Sequence, residues 1–184
     1  MSGTATNASL WANADVYIGA VNALGPINCV QTYSGTWSAV GLLDGDEGFA
    51  MTGENETNET YAWGSVLVKR TKSKHKRTVK FVMLEDNATT FSLLNPGSTS
   101  TTSSGLTTRS VKAPVGGSAG EFAISFHLQD GYNVKRRTCS RATVAEVGEI
   151  KDSESGVTAY EVTVLLYPDS NGVLYTELSG VNGS

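Results

Sequence analysis

The chain has 184 residues, enough for one domain with a sizeable core. Thr (21), Ser (20), Gly (20) and Val (18) dominate it, and charged residues are only 17%, below the roughly 25% usual for soluble domains. Its net charge of −4 conceals three blocks: −7 over residues 1–68, +8 over 69–140 and −5 over 141–184. Such blocks either neutralise each other within one copy or offer complementary surfaces to another. No apolar run approaches the ~18 residues of a membrane span. The first basic residue is Lys69, so Met1–Ala14 lacks the cationic start of a secretory signal. The sequons at Asn7, Asn55, Asn58, Asn87 and Asn182 then read as by-products of composition. Cys29 and Cys139 read as two separate reduced thiols.

In chain order, residues 1–14 read as an N-terminal arm and 15–184 as a single domain. Val16–Val21 predicts a first strand, ended by Gly25-Pro26. Trp37 and Val40-Gly41-Leu42-Leu43 lead into acidic residues Asp44, Asp46, Glu47, Glu54, Glu56 and Glu59, over 44–60. Little there packs into a core, so an exposed loop or an extended hairpin arm is expected. Strands follow over Tyr61–Arg70 and Arg77–Glu85, joined by a basic hairpin tip over 69–77 that contains Lys69, Arg70, Lys72, Lys74, Lys76 and Arg77. Asp86 or Asn87 can cap a short helix over Ala88–Leu94, which Asn95-Pro96-Gly97 stops. Twelve of the fourteen residues of Gly97–Ser110 are Gly, Ser or Thr, and a mobile loop is expected over 97–120.

Phe122, Ile124, Phe126 and Leu128 alternate with Ala123, Ser125, His127 and Gln129, the clearest strand of the chain. Asp130-Gly131 turns it into Tyr132–Ser140. Ala142–Ile150 and Val157–Tyr167 read as further strands, the second with Tyr160, Val162, Val164 and Leu166 on one face. Asp169-Ser170-Asn171-Gly172 leads into Val173–Leu178. About eight strands and one helix predict an all-β sandwich or barrel-like domain.

Catalytic patterns are lacking. His75 lies in the basic run, and His127 reads as a surface or interface residue. No nucleophile elbow, His-Glu-x-x-His or paired Cys-x-x-Cys is read, and Gly116-Gly117 is not followed by the Lys-Ser/Thr of a phosphate loop. Asp44–Gly48 lacks the downstream Glu of a calcium loop. No catalytic residue, metal or cofactor is expected, and the chain reads as a non-enzyme. The basic stretch has three readings: a phosphate contact, a solvated turn, or a docking element for the acidic loop of a neighbouring copy, which is favoured.

The order of four stretches resembles the major tail tube proteins of siphophages, especially those infecting actinobacteria. They are Asp15–Gly19; Trp37–Leu43 with its acidic turn; Tyr61-Ala62-Trp63-Gly64; and Arg77–Asn87, a strand leading through Glu-Asp-Asn into the helix. Asp15–Leu94 carries the likeness; later strands agree in pattern only, and the Ser/Thr-rich loop and strongly basic hairpin depart from it. The resemblance implies a tail tube fold, a two-sheet antiparallel β-sandwich that contributes strands to a hexameric β-barrel. It further implies a structural virion protein that stacks as hexameric rings and conducts the genome into the host. Its partners would be itself and other tail proteins (tape measure, tail terminator, distal tail), with double-stranded DNA only in transit and no membrane. Such a protein is assembled in the host bacterial cytoplasm and resides in the virion tail.

Six copies with four strands each, ~4.8 Å apart and tilted ~40°, close a barrel of roughly 48 Å backbone diameter. Side chains leave about 38 Å free, enough for a duplex. Conduction requires a wall that does not grip phosphate, so a neutral or acidic lumen is expected, with Lys69–Arg77 at a contact between copies. Two alternatives remain from the residues alone. In a small-ligand-binding β-barrel, Trp11, Trp37 and Trp63 would line the pocket. A secreted β-sandwich adhesin would carry glycosylated sequons.

Overall fold

The computed structural model of the chain describes residues 9–113 and 120–182. Strand β1 (Asn13–Gly19) pairs with the short β2 (Trp37–Ala39). The long strands β3 (Ala50–Ala62) and β4 (Val66–Met83) form a hairpin. After helix α1 (Ala88–Leu94) come a second hairpin, β5 (Thr99–Ser103) and β6 (Leu106–Ser110), and then β7 (Phe122–Asp130). Strands β8 (Asn133–Val147), β9 (Tyr160–Tyr167) and β10 (Thr176–Val181) complete the chain. The domain is all-β, and among the described residues there is one short helix and every strand pair is antiparallel.

One sheet runs β2-β1-β7-β8-β9-β4-β3, with β10 also on β8. Lys135 of β8 pairs with both Leu128 of β7 and Ser179 of β10, while Ala142 pairs with both Phe122 of β7 and Leu166 of β9. Strands β10 and β9 therefore share the edge of β8 opposite β7, one after the other. The sheet forks there into a β2-β1-β7-β8-β10 layer and a β8-β9-β4-β3 layer. Register shifts between Val144 and Glu146 and between Phe122 and Ile124 supply the bend, because a bulge increases local twist.

The two layers close on each other. Phe81 of β4 lies three strand spacings from Phe126 of β7, ~14 Å along a flat sheet. Their rings are 5.8 Å apart, and Phe49 completes the cluster at 5.1 Å from Phe126 and 6.3 Å from Phe81. Val16 and Ile124 from one layer and Val79, Val162, Val164 and Leu166 from the other surround it. The period-2 pattern of β9 is realised as expected, with Val162, Val164 and Leu166 buried.

Helix α1 forms over the expected residues. The Asn87 side chain accepts the Thr90 N–H at 2.9 Å, and the Asn95 N–H closes the C-terminus on the Phe91 carbonyl.

Four expectations need correction. Lys69–Arg77 is not a hairpin tip but lies inside β4, and the chain reverses at Trp63-Gly64-Ser65, where Gly64 and Ser65 have φ of 85° and 61°. The acidic stretch is a loop only up to Phe49; from Ala50 it is strand β3, the extended hairpin arm that was the alternative reading. The expected break around Arg141 does not occur, and β8 runs through it. Most of the low-complexity segment is the β5–β6 hairpin, turned by Ser104 (φ 51°) and Gly105 (φ 79°), the double positive φ of a tight hairpin turn. The 1–14 arm and the 97–120 loop lie partly outside the described residues, as does the sequon at Asn7; β1 already starts at Asn13.

Candidate assembly surface

Strand β9 pairs with β4 only from Arg77 onward, so Val66–Lys76 pair with β3 alone. These eleven residues and their partners form a two-stranded arm about 36 Å long at ~3.3 Å per residue. It has two bulges, one of which accommodates Lys74 at φ 51°.

The arm brings the acidic and basic blocks together within one chain. Glu54 faces Lys76 at 3.9 Å, Glu56 faces Lys74 at 2.9 Å and Glu59 faces Arg70 at 3.3 Å. His75 Nδ1 meets Asn55 Oδ1 at 2.6 Å. All these side chains are well solvated, and exposed ion pairs contribute at most about 1 kcal/mol each. Six of the twelve charges expected at contacts are thus paired internally. The other six, Asp44, Asp46 and Glu47 at the base and Lys69, Lys72 and Arg77 on β4, have no ion pair among the described residues.

Beyond the charges, the arm ends in an apolar tip. Trp63 is fully exposed, and Tyr61, Val66, Leu67 and Val68 are more than 45% exposed. A lone two-stranded ribbon is marginal in water, and its outer edges carry unpaired backbone groups.

A second surface is the 20–36 loop, which covers the outward side of β1, β7 and β8. Arg136 clamps it from below: Nη1 donates to the carbonyls of Asn28 (2.7 Å) and Gln31 (2.6 Å), and Nε donates to His127 Nδ1 (3.1 Å). Tyr33 stacks on Tyr17 with centroids 3.7 Å apart, and its hydroxyl meets Ser125 Oγ at 2.8 Å. Trp37 Nε1 donates to the Leu24 carbonyl at 3.0 Å. His127 is therefore not a surface residue, as the alternation in β7 implied, but is buried beneath this loop. Burial, and secondarily the Arg136 charge, hold its pKa below the ordinary 6.5. Burial likewise pushes the Tyr33 hydroxyl up. Val21, Leu24, Ile27 and Val30 remain on the solvent side of the loop.

The three tryptophans share no pocket: Trp63 is at the arm tip, Trp37 is buried, and Trp11 lies 5.4 Å from Lys135 Nζ. Cys29 and Cys139 are both free thiols, the second buried. Gly116-Gly117-Ser118-Ala119-Gly120 does have the Gly-x-Ser-x-Gly spacing, contrary to the reading above, although 114–119 lie outside the described residues. It precedes strand β7, not the helix into which a nucleophile elbow feeds. No group of three or more His, Cys, Asp or Glu side chains comes together among the described residues.

The described residues thus form an all-β domain that carries an uncovered arm. A family model described as a phage tail tube protein matches residues 2–179. The chain belongs to the phage tail tube protein family. It is a structural protein of the virion tail. Among solved structures, this tail tube protein is similar to a chain of the anti-feeding prophage cap (AFP tube terminating cap) at 10% identity, with 98% of this chain and 100% of that one covered and a TM-score of 0.47. A chain of the six-fold symmetrised anti-feeding prophage baseplate is 9% identical over 94% of this chain and 97% of its own, with a TM-score of 0.43. A comparison with curated proteins finds no match. No helix among the described residues is long and apolar enough to cross a membrane.

Proposed function

We propose that this tail tube protein polymerises as stacked hexameric rings into a siphophage tail tube, the conduit for genome ejection into the bacterial host, and that the β3–β4 arm ties neighbouring copies together. The observation that carries this reading is the arm itself, some 36 Å of ribbon whose two edges and apolar tip no other described residues cover. The unpaired Lys69, Lys72 and Arg77 of one copy meet acids such as Asp44, Asp46 and Glu47 of another, while the internal pairs keep the arm extended.

Two further features support the ring. The β8-β9-β4-β3 layer has four strands, the number per copy that a 24-strand barrel requires. On its outward side Lys80 is bridged to Glu161 at 2.6 Å, with Glu47 and Glu146 also near it. A wall so compensated passes double-stranded DNA without specific binding. Tape measure, terminator and distal tail proteins are its other partners, and assembly takes place in the host cytoplasm before the tail joins the virion.

The test is negative-stain microscopy of concentrated protein, seeded with tail tips, beside a variant in which Asn-Gly replaces Glu54–Lys76. That turn closes a two-residue hairpin between Gly53 and Arg77. Wild type should give rings or tubes about 100 Å wide, a ~50 Å barrel plus an outer layer. The shortened variant should keep its β circular dichroism and stay monomeric. Tubes from the shortened variant, or a seeded wild type that stays monomeric, would overturn the proposal.

A further inference from the structure

Two of the charge-free stretches of this chain also expose clusters of large apolar side chains. Residues 16–43 contain no Asp, Glu, Lys or Arg, and neither do residues 60–68. The first stretch includes the 20–36 loop, where Leu24 is 89% exposed, Ile27 81% and Val30 59%. The second is the arm tip around Trp63. Soluble domains seldom leave clustered aliphatic and aromatic side chains in water without a partner for them.

Both patches are held ready. The loop backbone is fastened by the Arg136 guanidinium and the Trp37 indole, so its aliphatic side chains are directed outward from a fixed base. The tip is set by the reversal at Gly64 and Ser65. Within one chain they cannot meet. The loop covers the outward side of the β1-β7-β8 layer, whereas the arm extends from β3 and β4, at the far edge of the other layer. An arm tip that covers the loop must therefore belong to a second copy.

We propose that the arm tip of one copy seats Trp63, flanked by Tyr61 and Leu67, on the Leu24–Ile27–Val30 face of the loop of another copy. The proposal rests on the role of the arm as a connector between copies and specifies its receptor. Because tip and loop are different patches, the contact is heterologous, and each copy gives one tip and receives one. Contacts of that kind propagate into rings or filaments and do not stop at a dimer. One aromatic anchor with its neighbours buries only a few hundred Å², well under the ~1,200 Å² of a stable binary interface. A single contact therefore leaves the protein monomeric when dilute, and many together lock a tube.

Cross-linking tests this directly. In a Cys29→Ser background, chains with Ala62→Cys beside the tip are mixed with chains carrying Ile27→Cys, assembled and oxidised. A mixed disulfide dimer on non-reducing gels is expected, and none when Thr101→Cys on β5 replaces Ile27→Cys. Separately, Ile27→Asp should raise the concentration needed for assembly at least tenfold while leaving the circular dichroism unchanged. Tubes that assemble without the 62–27 disulfide, or that form from Ile27→Asp as readily as from wild type, would overturn the receptor assignment and leave the connector role of the arm intact. Failure of the seeded wild type to assemble would overturn both.

Discussion

Arg136 Nε donates to His127 Nδ1 across 3.1 Å, beneath a loop whose carbonyls the same guanidinium also holds. The bond requires an unprotonated Nδ1, so His127 is neutral with its proton on Nε2. Groups facing it are Arg136 of β8, Asp15 of β1, Tyr33 of the loop and Gln129 of its own strand. A histidine whose folded pKa is lowered binds fewer protons folded than unfolded, so stability rises with pH. It should fall as pH drops below the ordinary value of 6.5 and level off once the lowered folded value is passed. Melting temperatures between pH 7.5 and 5 should decline for wild type and stay flatter for His127→Gln. An equal slope in both would exclude this histidine as the source. Loss of the Glu121–Arg141 pairing belongs to a more acidic window, below the ordinary carboxylate value of 4.5.

Gly41 has a backbone conformation that L side chains rarely adopt, and a side chain there would displace its neighbours. Its φ is 91°, and an added Cβ would run into the Glu85 carboxylate, which accepts the Leu42 N–H at 3.2 Å and lies beside the Asn87 amide. Gly41→Ala should therefore cost about 2 kcal/mol or more, roughly 5 °C in melting temperature for a chain of this size. Calorimetry showing a shift under 1 °C would contradict this account.

The β5–β6 hairpin is tethered at Arg109, whose Nη1 donates to both carboxylate oxygens of Asp86 (2.6 and 2.8 Å) with the guanidinium 4.8 Å from the Phe91 ring centroid. Arg109→Gln should speed hydrogen exchange across Thr99–Ser110 by several-fold and barely move the global melting temperature, because the pair is partly solvated. Exchange unchanged at these amides would mean that the tether is unimportant.

The unpaired charges can be exchanged. Lys69→Glu with Lys72→Glu should leave folding within about 0.5 kcal/mol, as at other exposed sites. Assembly, followed by light scattering at low salt, should weaken. Adding Asp44→Lys and Asp46→Lys should restore part of it if these groups meet across copies. The absence of any rescue would assign the lysines to a different surface.

What was legible in the sequence follows from how each element is buried. Helix α1 announced itself because its cap and its stop are local, Asn87 at one end and Asn95-Pro96 at the other. Strand β9 was readable because one of its faces packs in the core. The arm was legible only as one of two alternatives, with its turn misplaced, because both its faces are solvated and no apolar alternation marks it. A signal was available in the near-mirror spacing of Glu54, Glu56 and Glu59 against Lys76, Lys74 and Arg70 about Gly64, as cross-strand partners require. The β5–β6 hairpin was hidden by reading Thr as a loop residue, although its β-branch favours a pleated strand. Nothing local links Arg136 to carbonyls more than a hundred residues earlier, so the clamped loop could only emerge from tertiary structure.

Strand β8 gives its first half to one layer and its second half to the other. In a flexing tail shaft the two layers thus cannot slide apart as separate plates held by side-chain packing alone. Load crosses from one to the other along a continuous covalent backbone, and separating them means breaking ladder hydrogen bonds in shear.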